Sequence, residues 1–410
     1  MTGAQRAKLW RQPEAAAGAL YTRLASKRNF ARVFITLAFC AIFYNFYSSS
    51  ELRKSLNDRL QQTMSASPSI QVVEQTEPNM QMCSNEPTLE SNNGTEKATL
   101  VMLVRNREIR EALSSMRSVE DRFNRKFHYP WTFLNDKPFT KDFIEYTTGM
   151  ASGPVEYQVI PKEAWSIPKT INTTIVKQEM AEMTRQNIIY GGSLSYRHMC
   201  RFNSGFFYNM EVMKKYDCDP FTFMRTNNKI YGFVITMYEF EATIKTLWSR
   251  TKEFIRRNPQ YLHENNSLDF LVDGAKASKK DDKEIDGNYN LCHFWSNFEI
   301  ASLNFYRSEA YTKYFEFLDS AGGFFYERWG DAPVHSLGVG LFAPKDKIHH
   351  FADFGYSHPP CSRCPQDDES HKSGRCYCNR AVNFDTNSYS CMPRWWDVAG
   401  INKGAKRLGT

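Results

Sequence analysis

The stretch "ATLVMLVRN" at residues 98–106 limits what this chain can fold into more than any other segment. It is a continuous apolar run closed by Arg105 and Asn106, the pattern of a strand buried on both faces. "REIREALSSMRSVEDRFNRKF" follows, with Ile109, Leu113, Met116 and Val119 at helical spacing. "YPWTFLND" (129–136) then reads as a second buried strand ending on Asn135 and Asp136. Strand, helix and strand in this order make a βαβ unit, so the two strands are predicted parallel with helices outside. Polar residues at the carboxyl ends of such strands face a ligand crevice, which makes Arg105, Asn106, Asn135 and Asp136 candidates for a nucleotide-sized site. Ordinary loop polarity is the plainer reading of the same residues.

Further strands are expected at "KIYGFVITMY" (229–238) and "HSLGVGLFA" (335–343), and helices at "EATIKTLWSRTKEFIRRN" (241–258) and "SEAYTKYFEFLDSAG" (308–322). The fold class is therefore α/β. With 14% aromatic residues the domain is rich in rings that sugars stack on, although rings are more often core.

Ahead of this domain the chain changes character twice. Residues 1–32 carry Arg6, Lys8, Arg11, Arg23, Lys27, Arg28 and Arg32 against the single acid Glu14. This segment holds nearly all of the net charge of +7, so the chain as a whole does not read as a nucleic-acid binder. "VFITLAFCAIFYNFY" (33–47) is uncharged and, with Phe30 and Ala31, approaches the roughly 17–20 residues that cross a bilayer. The basic flank precedes it, which keeps 1–32 cytoplasmic and sends the rest across. A cleaved signal peptide is disfavoured by the long basic leader and by Tyr44, Phe46 and Tyr47 where small residues are needed. Residues 49–97, rich in Ser, Gln, Asn, Glu and Pro, read as a stem. The expected layout is a cytoplasmic tail (1–32), a signal-anchor (33–48), a lumenal stem (49–97) and a folded domain (98–410). Asn93-Gly94-Thr95, Asn172-Thr173-Thr174 and Asn265-Asn266-Ser267 are glycosylation triplets that count only if the domain is lumenal.

Five stretches are particular enough to name relatives: "RSVEDRFNRKFHYPWTFLND", "YGGSLSYRHMCRFNSGFFY", "NLCHFWSNFEIASLNFYRSEAY", "GGFFYERWGDAPVHSLGVGLF" and "FGYSHPPCSRCP". Together, over about residues 98–391, they resemble the fungal Golgi α-1,2-mannosyltransferases of glycosyltransferase family 15. The resemblance implies a GT-A-like domain, with a Rossmann-like mixed sheet flanked by helices. It also implies transfer of mannose from GDP-mannose to the 2-hydroxyl of glycoprotein-linked mannosides, with retained configuration, in the Golgi and with Mn²⁺ as cofactor. Glu299 matches the glutamate placed beneath the anomeric carbon, where a retaining transfer needs a nucleophile or a stabiliser of oxocarbenium character. His358 matches the metal-binding imidazole, and Tyr196 a tyrosine at the sugar site. Arg197 and Arg201 are candidates to meet phosphate bidentately, or else are structural ion-pair partners. Asp331 is a further candidate substrate carboxylate.

One segment departs from the family. There, the stretch after "SGFFY" runs through Tyr-Tyr-Trp-Arg-Val-Glu-Pro, a strand whose Glu is the metal's carboxylate ligand. This chain passes from "KKYD" straight to "CDPF", so Asp217 and Cys218-Asp219 read as the two edges of a deletion. Asp217 or Asp219 taking the place of the lost ligand is the alternative, since a hard divalent ion needs carboxylate oxygens that His358 alone does not supply. A catalytically dead member that binds mannosides or partner transferases is accordingly the competing function.

Cys361, Cys364, Cys376, Cys378 and Cys391 cluster near the C-terminus. In a reducing compartment their spacing would suggest zinc; in an oxidising lumen it reads as disulfides, with Cys200 and Cys292 as further partners. The topology is directly testable. A reporter at residue 1 should stay cytosolic while residues 98–410 are protected from protease in sealed Golgi vesicles, and cleavage of the domain in intact vesicles would refute the anchor.

Overall fold

The computed structural model describes Glu96 and residues 98–213, 222–274, 285 and 287–401. The tail, anchor and nearly all of the stem therefore lie outside the described residues, as do Asp217 and Asp219. Among the described residues no helix is long and apolar enough to cross a membrane.

The βαβ unit forms with the parallel pairing its pattern predicts, but among the described residues β1 is an edge strand with Val101 exposed, not a strand buried on both faces. β1 (Leu100–Leu103) leads through α1 (Ile109–Val119) to β2 (Trp131–Asn135), and β1 pairs parallel with β2, Leu100 opposite Trp131. Helix α2 (Lys141–Met150), capped by the Thr140 hydroxyl, returns the chain to β3 (Val155–Val159), which is parallel to β2. Every residue of β2 is buried, as befits a central strand. Under the sheet, Met116 and Phe133 pack with Phe143, whose ring stands edge-on to Phe133 at 5.6 Å.

A second body of structure carries the larger core. β4 (Tyr231–Phe233) lies between β7 (Glu299–Ala301), antiparallel to it, and β8 (Ile348–His350), parallel to it. β5 (Thr236–Tyr238) pairs antiparallel with β6 (Cys292–Phe294). The expected strand over 229–238 is thus two short strands. Phe294 is the hub of the packing: Phe233 lies 4.5 Å and Phe270 4.9 Å away, and Trp395 meets it edge-on at 5.2 Å. Among the described residues β1 has a strand on one side only, and the two three-stranded sheets are separate.

The helices flank this body. α3 (Thr173–Arg185) is capped by Asn172 and α4 (Leu194–Gly205) by Ser193, each side chain accepting from the first-turn amides. α5 (Leu247–Arg257) buries Leu247, Trp248 and Phe254, within the expected helix over 241–258. α6 (Glu309–Ala321) starts on the Ser308 cap and ends at Gly322, whose φ of 75° needs glycine.

One assignment is corrected. The apolar run "HSLGVGLFA" is a helix, α7 (Asp331–Phe342), not a strand. Eleven of its residues, Ala332 to Phe342, are buried, and a run covered all round carries no periodicity to tell helix from strand. Asp331 and Pro333 in its first turn are the start signal. Its glycines admit neighbours: a Cβ on Gly338 would stand 2.7 Å from the Tyr311 ring, and one on Gly340 2.7 Å from Leu271. Among the described residues Cys292–Cys391 ties the C-terminal segment to β6 and Cys364–Cys378 closes a loop within that segment, while Cys200, Cys361 and Cys376 are free. Cys364, His371 and Cys378 sit close enough to hold a metal, but both sulfurs are bonded to each other.

Gly338→Val should force Tyr311 from its seat and lower stability by about 1–3 kcal/mol, the scale of overpacking, read as a reduced urea midpoint with unchanged slope.

Candidate functional site

At the carboxyl ends of β1 and β2 the chain opens into a cavity of about 570 Å³ lined by Arg105, Asn106, Asn135, Asp136, Tyr190 and Ser195, with Arg107, Lys137 and Ser193 completing it. This is the crevice expected of parallel strands. Arg105 is fixed at its mouth: Nη2 donates to Ser195 Oγ at 2.5 Å and Nη1 to Glu108 Oε1 at 3.1 Å. Tyr190 stacks on Tyr196 with ring centroids 4.5 Å apart, and the Arg328 guanidinium lies 5.1 Å from the Tyr196 ring centre. Burial pushes the Tyr196 phenol well above its usual range, so it is a hydrogen-bond donor at any physiological pH.

The carboxylates lie at the other end of α4. Glu299 opens β7, and its Oε2 accepts from the Tyr231 hydroxyl at 2.8 Å, with His335 Nδ1 at 3.1 Å. Its Oε1 has one long contact, from the Tyr306 hydroxyl at 3.5 Å. Burial, reinforced by Glu299, raises the Tyr231 and Tyr306 phenols far above their ordinary values. Asp331 sits at the start of α7, where its Oδ2 accepts from Ser296 Oγ at 2.9 Å and from Asn203 Nδ2 at 3.4 Å. Asn203 also offers its backbone carbonyl to His335 Nε2 at 3.0 Å. Tyr196 and Asn203 are seven residues apart on α4. That spacing returns to one face of a helix after a rise of roughly 10 Å. This face runs from Tyr196, which stacks on the cavity-lining Tyr190, to Asn203 beside Asp331 and His335.

Two assignments are corrected. Arg197 and Arg201 were candidates for phosphate, and both are buried with protein partners. Arg197 is fully buried, Nη1 donating to Gly191 O at 2.7 Å and Nε to Glu327 O at 3.2 Å. Desolvation lowers its pKa to about 10. Arg201 forks onto Asp319 through Nε at 2.6 Å and Nη2 at 2.8 Å, and its remaining donor reaches Glu163 O and Ser166 O. Both hold α4 in place, the structural alternative that the sequence left open.

His358 ends β9 (Tyr356–His358) as an exposed side chain, its ring edge-on to Trp295 at 5.0 Å. Its Nδ1 faces Pro359 O at 3.2 Å, an acceptor, which leaves Nε2 with a lone pair for a metal. Among the described residues, however, no group of three metal-ligand side chains includes His358. The donors described do not make up a manganese site.

The sequence reading missed His335, Tyr231 and Tyr306 around Glu299, and Tyr190 and Ser195 in the cavity. His335 stands in the quoted "GDAPVHS", and its misassignment to a strand hid the turn that brings it beside Asp331.

The corrected roles separate in a binding assay. Arg105→Ala should weaken GDP binding about tenfold with unchanged thermal stability. Arg201→Leu should leave GDP affinity of the folded protein intact and cost about 3–5 kcal/mol, because it strands Asp319 unpaired.

Comparison with known proteins gives a consistent picture. The chain is 49% identical over 323 residues to glycolipid 2-alpha-mannosyltransferase 2 of Candida albicans, covering 75% of this chain and 68% of that one. It is 51% identical over 314 residues to an O-glycoside alpha-1,2-mannosyltransferase homolog of Schizosaccharomyces pombe, covering 73% and 81%. Its fold matches the crystal structure of core-mannan synthase A from Aspergillus fumigatus in a Mn/GDP form, with a TM-score of 0.68 at 39% identity over 77% of this chain and 88% of that one. It also matches the mannosyltransferase Ktr4p of S. cerevisiae in complex with GDP, with a TM-score of 0.67 at 38% identity over 74% and 82%. Residues 51–400 match one family throughout, and this chain belongs to the glycolipid 2-alpha-mannosyltransferase family.

Proposed function

We propose that this chain is a retaining α-1,2-mannosyltransferase with a GT-A-like domain, moving mannose from GDP-mannose to mannosides of glycoprotein N- or O-glycans. In this reading the domain lies in the Golgi lumen behind a type II anchor at residues 33–48. The observation that carries the proposal is helix α4, which places Ser195 on the wall of a nucleotide-sized cavity and Asn203 against Asp331 and the His335 that meets Glu299. The relatives named as alpha-1,2-mannosyltransferases and the GDP-bound neighbours support the same donor and linkage.

The residues divide the work. Arg105 and the polar rim of the cavity hold the nucleotide and its phosphates. Glu299 presents Oε1 to the anomeric carbon, as nucleophile or as the charge that stabilises oxocarbenium character while GDP departs. Tyr231 and Tyr306 stay protonated and orient that carboxylate. Asp331, held through Oδ2, turns Oδ1 to an acceptor hydroxyl.

A second part of the proposal concerns the metal. Mn²⁺ belongs to the Mn/GDP form of the neighbour, whereas here His358 stands without a described ligand cluster. The direct passage from "KKYD" to "CDPF" supports the reading that a strand and its Glu are missing between Asp217 and Cys218, and that metal-dependent turnover is impaired. The second reading, a non-catalytic mannoside- or transferase-binding member, rests on the same observation. Calorimetric titration of GDP with and without Mn²⁺ should show little metal-dependent affinity in the unmodified chain. Asp217→Asn and Asp219→Asn should leave it unchanged, and insertion of the family's Trp-Arg-Val-Glu-Pro strand should raise it about tenfold or more. A large Mn²⁺-dependent affinity in the unmodified chain, lost on either Asp substitution, would show that the aspartates have replaced the missing ligand.

A further inference from the structure

The reading of Glu299 leaves its buried neighbour unexplained. His335 is 1% exposed, on the first turns of α7, and both of its ring nitrogens meet oxygen. Nε2 faces the Asn203 carbonyl at 3.0 Å, which only accepts, so Nε2 carries a proton. Nδ1 faces Glu299 Oε2 at 3.1 Å and the Tyr306 hydroxyl at 3.0 Å. A lone pair on Nδ1 would oppose the carboxylate; a proton there bonds to it and leaves the Tyr306 hydroxyl to turn toward Oε1. The geometry thus favours the doubly protonated ring. We propose that His335 is the positioning residue of the site: as an imidazolium it clamps Oε2 of Glu299 together with Tyr231, and so leaves Oε1 as the atom presented to the sugar.

The surroundings agree. Burial alone lowers a histidine pKa, as it does at His293 and His350, yet at His335 Glu299, Asp331 and the Asn203 carbonyl together outweigh it and the pKa rises. The groups facing the ring from the elements around it are Glu299 on β7, Tyr231 on β4, Tyr306, Tyr311 on α6, the Phe207 ring and the Asn203 carbonyl on α4. Asp331, one turn earlier on α7, adds a further negative charge that raises the pKa. No cation appears in that shell among these groups. The sign follows: a raised pKa makes the clamp's contribution complete below the ordinary histidine value of about 6.5, and lost as pH climbs through the folded value.

This inference rests on the reading of Glu299 as the sugar-facing carboxylate, and the experiment separates the two. Full-length chain labelled with ring ¹⁵N-histidine is titrated beside H335Q, whose missing signal identifies the residue, and E299Q. The expected result is a ring still doubly protonated at about pH 7 in the unmodified chain, with its midpoint lowered by about one pH unit or more in E299Q. A neutral ring at that pH, or a midpoint untouched by E299Q, overturns the clamp. If H335Q does not fold, the midpoint change in E299Q decides the point without it.

Turnover then distinguishes positioning from mere support. In the full-length chain with the family's strand restored, H335Q should lower kcat about tenfold with KM for GDP-mannose nearly unchanged, and should abolish the alkaline fall of the kcat profile. Full kcat in H335Q alongside an inactive E299Q overturns the positioning role alone. Retained transfer in E299Q overturns the reading of Glu299 itself, whatever the histidine spectra show.

Discussion

A carboxylate set into the interior must be met by donors, and the half of the molecule that holds the larger core is arranged around that requirement at Glu299. The cost of leaving such a group unpaired is several kcal/mol, more than a single packing contact returns. Three donors meet it, and each comes from a different element: Tyr231 from β4, Tyr306 from the short helix Leu303–Tyr306, and His335 from α7. Strand pairing brings the first, since Tyr231 and Glu299 lie on antiparallel neighbours. Helix packing brings the others. The site and the core are therefore built by the same contacts, and disturbance of α7 reaches the chemistry directly.

Helix α4 is the second constraint. Arg197 and Arg201, on its inner face, tie it by charge-assisted hydrogen bonds to Glu327 O, Gly191 O and Asp319. A helix held this firmly can present Ser195 to the cavity and Asn203 to Asp331 and His335 with fixed spacing. The buried arginines thus act by anchoring the helix. That is a different use of guanidinium from phosphate recognition, and one that sequence alone does not tell apart.

Where the sheet stops is as informative as where it runs. β1 and β3 are both edge strands among the described residues, and the parallel β1–β2–β3 sheet is not continued into the one centred on β4. His358 ends β9 at the surface, and among the described residues no group of three metal-ligand side chains includes it.

The residues themselves determined the parallel βαβ unit, the crevice residues Arg105 and Asp136, the helices with clear start and stop signals, and the family. Each rests on local information: apolar period, caps such as Ser308, a glycine at positive φ, or strings too particular to arise by chance. Glu299 and Asp331 were legible through the family strings, and their partnership was not. Only the tertiary structure decided that "HSLGVGLFA" is a helix, because a segment buried all round loses the period by which helix and strand differ. It alone turned Arg197 and Arg201 from ligand candidates into anchors, since the charge of a guanidinium is fixed by sequence but its partner is fixed by folding. And it alone set His335 against Glu299: the two stand 36 residues apart in the chain, and β7 and α7 must both be packed before they meet.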